Sequence, residues 1–325
     1  MPLTFDFPLD KLQTYQGINP RPADFDAYWD AGLAEMRALD ARVELSPADF
    51  TAPGVDCRHL YFTGVGGARI HAKLLRPAHR PAPGPALVML HGYHADSGDW
   101  YEKLGYVAQG FTVVALDCRG QAGLSQDVGG THGNTVRGHI IRGLNDAIHG
   151  APQKLLFRQI YLDAAQLAGI VLAMPDVDPA RVGVTGMSQG GGLTVACAAL
   201  EPRIRRAAPV FPFLSDYLRV WQMDQAKDAY EELKDFFRRH DPRHAHEDAV
   251  FMNLGYIDVQ HLAPRIRAEV LWTIALMDTV CPPSTQYAAY NKITSTKRML
   301  TYPDFGHEPG LPGMRDDVFQ FMLGA

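Results

Sequence analysis

The segment Val182-Gly183-Val184-Thr185-Gly186-Met187-Ser188-Gln189-Gly190-Gly191-Gly192-Leu193 restricts the fold more than any other part of the 325-residue chain. An apolar run of strand character passes directly into a helical run through a serine with glycine two residues to either side. Such a turn strains the serine backbone, and only glycine at the flanking positions lets strand and helix approach closely. It forces a strand edge to meet a helix N-terminus, and so predicts a layered α/β fold with Ser188 Oγ exposed above a sheet. The same rhythm recurs along the chain. ALVMLHG (86–92), FTVVALD (111–117), RVGVTG (181–186), EVLWTIALMD (269–278) and the weaker RMLTYPD (298–304) are short apolar strands ending in Gly, Asp or His. Helical stretches lie between them, clearest from Phe157 to Met174 and Gly190 to Leu200. Continuous apolar strands alternating with helices imply a mostly parallel sheet flanked by helices on both faces.

Two regions depart from that rhythm. Before it, Phe25, Tyr28, Trp29, Leu33 and Met36 recur at helical spacing, and CRHLYFTG followed by VGGARIHAKLLRP reads as a hairpin around a Gly-rich turn. We expect an N-terminal helical extension over 1–40 plus this hairpin, with the helix packed on the body of the protein or on a neighbouring subunit. Later, residues 215–263 contain much helix and no convincing strand. They are expected to form a helical insertion before the late strands, above the strand ends where open α/β sheets bind ligands. Its charge run, KDAYEELKDFFRRHDPRHAHED, reads as a solvated helix face plus loop, with part of a lid or a subunit contact as the alternative. His240, His244 and His246 in that run could suggest a metal site, but Pro242 and arginines punctuate the stretch and none is expected there. With no linker-like run, 1–325 is expected to be a single domain.

Composition narrows the function classes. Thirty-one Lys and Arg against 36 Asp and Glu leave a net charge of −5, which argues against nucleic acid as a partner. Apolar residues at 46% and charged residues at 21% exclude wholesale disorder. No run has the ~18 apolar residues of a membrane span, and the start, MPLTFDFPLDKLQTYQG, has no secretory h-region, so we expect a cytoplasmic protein with no membrane partner. Cys57, Cys118, Cys197 and Cys281 fit neither a disulfide framework nor a metal pattern and are expected as reduced thiols.

A serine hydroxyl at such a turn needs a base, itself oriented by an acid, and behind this turn the chain order should be Ser, acid, His. His307, in Asp304-Phe305-Gly306-His307-Glu308 after the last strand, is the base candidate. Asp278, ending the strand Glu269–Met277, is favoured as the acid over Asp304, which lies so near His307 that it is better placed to shape its own turn. The backbone N–H of Gln189 and that of Tyr93, in the loop Leu90-His91-Gly92-Tyr93-His94, are candidate oxyanion donors. His91 is read as loop support. Arg119 and Gln121, just past a strand end, are read as support for the active-site loops, with substrate contact as the alternative.

Several stretches together resemble one family, the carbohydrate esterases of family seven, comprising acetyl xylan esterases and cephalosporin-C deacetylases. They are LDCRGQAG (116–123), GHIIRGLNDA (138–147), GVTGMSQGGGLTVACAALEPRI (183–204), APVFPFLSDYLRVW (208–221), LGYIDVQHLAPRI (254–266), LMDTVCPPSTQYAAYNKI (276–293) and YPDFGHE (302–308). They cover most of the chain in family order. The resemblance implies an α/β-hydrolase fold with helical insertions, Ser188, Asp278 and His307 as nucleophile, acid and base, and Tyr93 and Gln189 as oxyanion donors. It also implies a homohexamer with active sites facing an internal cavity, and a small acetylated substrate. Serine acyl-enzyme chemistry needs neither a metal nor an organic cofactor. Two departures bear on substrate preference: Met187, where the family often has a smaller residue, and the stretch Asn145 to Arg158. A serine peptidase or a longer-chain esterase could use the same residues. From another class, a catalytically silent receptor or scaffold on this fold would be expected to lack a triad member, and here all three positions are filled.

Overall fold

The computed structural model describes residues 5–126 and 138–324. Nine strands form one sheet: β1 (Glu44–Pro47), β2 (Val55–Thr63), β3 (Arg69–Pro77), β4 (Gly84–Leu90), β5 (Thr112–Leu116), β6 (Val177–Met187), β7 (Arg206–Val210), β8 (Glu269–Ala275) and β9 (Lys297–Tyr302). Their order across it is β1-β2-β3-β5-β4-β6-β7-β8-β9. The expected hairpin is β2–β3, antiparallel and registered from Val55 against Pro77 to Thr63 against Arg69. From β5 through β4 to β9 every pairing is parallel.

The principal helices are α1 (Phe25–Ala38), α2 (Leu156–Leu172), α3 (Gln189–Leu200), α4 (Glu231–His240), α5 (Glu247–Leu254), α6 (Pro283–Tyr290) and α7 (Met314–Leu323). The larger core joins α1, α2 and α3 to one sheet face; a smaller cluster, including Leu87, Val113, Leu271, Val318 and Phe321, lies under α7 on the other. All twelve residues of α3 are buried. The helix α1 packs on its own chain: Trp29 stacks on Tyr161 (5.8 Å between centroids) and its Nε1 donates to Tyr256 O at 2.9 Å. Of the extension expected over 1–40, residues 1–4 lie outside those described.

Sequence patterning missed two strands. The edge strand β1 has all four residues exposed, so it carries no apolar alternation. The strand β7 contains Pro209, an unusual residue for an interior strand. It nevertheless pairs with β6, Pro209 opposite Gly186, and Thr185 Oγ1 donates to Ala208 O at 2.8 Å. Residues 215–263 carry helices and no strand between β7 and β8. Their charge run is not wholly a solvated face, because Glu232 is buried in α4 beside Leu233, Phe236 and Phe237. Within the same run, His244 stacks on Phe237 at 4.3 Å and bonds Glu247 Oε2 at 2.7 Å.

Candidate active site

The candidate residues converge because strands β4, β6, β8 and β9 run in one direction and the loops after them share one sheet edge. Tyr93 follows β4, Ser188 follows β6, Asp278 follows β8 and His307 follows β9. Ser188 has φ +58° and ψ −116°, the strained elbow that the glycine spacing predicts. The glycines have a steric reason. A Cβ at Gly190 would lie 2.0 Å from Leu90 O, at Gly191 2.7 Å from Val210 O, at Gly192 2.4 Å from Phe213 O, and at Gly186 2.5 Å from Leu90 O. With hydrogens there, α3 can start flush against the sheet. Met187, the bulky departure, finds room by packing against the cluster that contains Val210 and Phe211.

His307 bridges the other two members. Its Nε2 lies 3.0 Å from Ser188 Oγ and its Nδ1 2.8 Å from Asp278 Oδ2. Asp278 is fully buried, and its Oδ1 accepts the N–H groups of Val280 (2.9 Å) and Cys281 (2.8 Å). With these donors fixing the carboxylate, Nδ1 carries the imidazole hydrogen and Nε2 is left to accept the serine proton. Asp304, the rival acid, is exposed. Phe211 packs on the imidazole with ring centroids 4.7 Å apart.

Behind the elbow lies a polar layer. His91 Nε2 accepts the Cys118 N–H at 2.9 Å, which assigns the hydrogen to Nδ1, 2.7 Å from Gly92 O. Burial lowers the basicity of this histidine, in keeping with a neutral ring. Gln121 Oε1 accepts His94 N–H at 2.9 Å, and Gln121 Nε2 donates to Gln189 Oε1 at 2.7 Å. Gln121 therefore ties the Tyr93 loop to the first residue of α3. Arg119 is 2% exposed and directed inward: Nε and Nη2 each reach Asp163 at 2.6 Å, and Nη1 donates to Val65 O at 3.0 Å. Of the two readings of Arg119 and Gln121, loop support is the one these contacts describe. The stretch Asn145 to Arg158 turns toward α1, with Tyr28 Oη donating to Pro152 O at 3.0 Å and Arg158 Nη2 to Glu35 at 2.8 Å.

Residue-by-residue reading missed several participants. Asp163, buried in α2, left one signal: an acidic side chain among apolar neighbours of a buried helix. Asp117 accepts His71 Nδ1 (2.6 Å), Ser97 N–H (2.7 Å) and Leu124 N–H (2.9 Å), joining the loops after β4 and β5. Burial would raise its pKa, but these bonds outweigh burial and hold it well below the usual carboxylate range. The buried Cys281 thiol is pushed up by burial, reinforced by the Asp278 charge. Its Sγ falls within 4.8 Å of ligand atoms of Asp278 and His307, yet both imidazole nitrogens are already engaged within the triad. Cys57, Cys118 and Cys197 are likewise buried free thiols. Glu232 lay hidden in a charge run; burial pushes its carboxyl up to about 7, against the opposing bonds from Tyr93 and nearby backbone N–H groups.

A serine elbow at the C-terminal edge of a sheet with this strand order defines an α/β-hydrolase. The acylaminoacyl peptidase of Pyrococcus horikoshii shares that fold at 16% identity (TM-score 0.58, 83% of this chain, 41% of that one). More specifically, the acetyl xylan esterase (AXE1) family model matches residues 1–324, so the chain belongs to that family and, with it, to the carboxylic ester hydrolases. Acetyl xylan esterase 1 from Thermoanaerobacterium sp. JW/SL YS485 is 58% identical, with a TM-score of 0.94 over 98% of this chain and 99% of that one. An acetyl xylan esterase from Paenibacillus sp. R4 is 34% identical, with a TM-score of 0.91 over the same shares. The acetyl esterase Axe7A of Xylanibacter ruminicola is 26% identical over 87% of this chain, which spans 62% of that protein's length. Among the described residues, no helix is long and apolar enough to cross a membrane.

Proposed function

We propose that the protein removes acetyl groups from small oxygenated substrates through an acetyl-enzyme on Ser188. The observation that carries this reading is the continuous Ser188–His307–Asp278 hydrogen-bond chain beneath the elbow. Ser188 Oγ attacks the acetyl carbonyl while His307 Nε2 takes its proton, and Asp278 stabilises the imidazolium that forms. The main-chain N–H groups of Tyr93 and Gln189 receive the oxyanion, each worth about 3 kcal/mol of transition-state stabilisation. Gln189 suits this because the first N–H groups of a helix have no intrahelical acceptor. His307 then gives that proton to the alcohol oxygen as the ester C–O bond breaks, takes a proton from the attacking water, and returns it to Ser188 Oγ as the second tetrahedral adduct collapses to acetic acid.

The substrates favoured by family membership are acetylated xylo-oligosaccharides and other sugar acetates, with cephalosporin C as a further acetyl ester. The two closely superposing structures are those of acetyl xylan esterases. A homohexamer, carried by the family resemblance, and a cytoplasmic location, supported by four buried free thiols, belong to this proposal too. Light scattering of the purified protein and cell fractionation address them.

The decisive experiment compares p-nitrophenyl acetate, butyrate and octanoate. A steep fall in kcat/KM with chain length is expected; equal rates would overturn the acetyl-ester reading in favour of a general carboxylesterase. A panel of acetylated xylo-oligosaccharide, glucose pentaacetate and cephalosporin C then ranks the alcohol side.

A further inference from the structure

The chemistry above leaves Glu232 without a part. It sits in the first turn of α4, within the inserted segment, with only 6% of its surface exposed. Its two oxygens serve two other stretches of chain. One accepts the Tyr93 hydroxyl, and the other accepts the Ile141 N–H at 3.0 Å. The Tyr93 hydroxyl in turn accepts the His139 N–H at 2.9 Å, closing a ring of three segments: the loop after β4, residues 139–141 and α4.

Aromatic side chains pack around the Tyr93 ring. Tyr93 stacks on His94 (4.1 Å, 24°), meets His139 edge-on (5.2 Å, 89°) and leans on Phe213 (5.3 Å). Phe213 is itself tied to the elbow, its N–H donating to Ser188 O at 3.0 Å. At Gly138, where φ is +97°, a Cβ would lie 2.2 Å from the Glu232 carboxylate, so only glycine admits that side chain. A carboxylate occupied by these donors is an anchor, not a substrate contact. What it anchors is the far end of the Tyr93 side chain, and the Tyr93 main-chain N–H is one of the two assigned to the oxyanion.

We propose that Glu232 is a positioning residue for catalysis. By gripping the Tyr93 hydroxyl from the inserted helices, it fixes the Tyr93 backbone and pre-orients its N–H for the oxyanion. This rests on the reading of Tyr93 as an oxyanion donor, and it makes the insertion part of the catalytic scaffold. A donor that must be ordered anew in each turnover stabilises the transition state less than one already in place, and leaves ground-state binding untouched.

The test uses full-length Glu232→Gln, Tyr93→Phe and the double variant, with p-nitrophenyl acetate turnover normalised to active sites titrated by a fluorophosphonate. Each single variant should lower kcat about tenfold with KM within about twofold, because a donor is misplaced and not removed. The double variant should fall no further than the worse single, since both changes break the same link. Methylboronic acid, a tetrahedral mimic, should bind more weakly by the same factor as kcat falls, with acetate inhibition unchanged. Wild-type kcat per titrated site in Glu232→Gln, or independent multiplication of the two effects, would overturn the proposal, as would weakening of acetate and boronate alike. Ser188→Ala separates the two layers. If it stays active, the nucleophile reading itself falls; if it is inactive while Glu232→Gln keeps full kcat, the positioning role alone falls.

Discussion

Arg119 illustrates what single residues reveal. Its guanidinium is spent on Asp163 and Val65 O, deep between the hairpin and α2. Arg119→Lys keeps the charge but not the two-pronged bond, so it should destabilise the protein by about 3 kcal/mol in urea unfolding. The KM for p-nitrophenyl acetate should stay within about twofold. Unchanged stability with a raised KM would instead make Arg119 a substrate contact. The residues now grouped as a triad were each legible locally, since the elbow, the Asp at a strand end and the His after the last strand obey short-range backbone rules. Asp163 and Glu232 were not. Their partners lie 44 and 139 positions away in sequence, and no local pattern reports such a pairing.

Elements were legible where burial imposed a period. The parallel strands β4, β5, β6, β8 and β9 and the helices α1 to α3 follow from apolar patterning, whereas β7 was concealed by Pro209 and β1 by full exposure. The glycines opening α3 give a sharp prediction. Gly190→Ala places a Cβ 2.0 Å from Leu90 O, a backbone atom that cannot step aside. The expected cost is about 3 kcal/mol of stability by urea titration, with a marked loss of esterase activity. A variant as stable and active as wild type would show that α3 tolerates displacement from the sheet. In the insertion, Asp258 is fully buried; burial, reinforced by the Asp216 charge, pushes its carboxyl up to about 7 against three opposing bonds from Asp216 N–H and Gln260. Its folded pKa exceeds the unfolded value near 4. Its stabilising contribution is therefore complete below about pH 4 and is lost as pH rises through about 7, amounting to at most about 4 kcal/mol. The urea midpoint of the wild type should fall relative to that of Asp258→Asn as pH rises from 4 to 8. Parallel curves would contradict this assignment.

For the molecule as a whole, the chain start is clipped to its middle. Asp216, at the start of the insertion, accepts Tyr15 Oη (2.8 Å), Ile18 N–H (3.0 Å) and Asn19 N–H (2.8 Å), and Asp6 accepts Arg219 (3.0 Å) and Ser284 N–H (2.7 Å). Asp216→Asn weakens all three of the first set while tolerating the left-handed backbone there (φ +52°). Amide hydrogen exchange at residues 15–19 should rise at least about tenfold, as expected where local opening becomes cheaper. Unchanged protection would mean that packing alone holds the segment. Strand order alone assembles Ser188, Asp278 and His307 from distant parts of the chain. Ser188→Ala tests whether that assembly is the catalytic centre. Its kcat/KM for p-nitrophenyl acetate should fall by at least about a thousandfold with the melting temperature preserved; a variant retaining activity within tenfold of the wild type would contradict it.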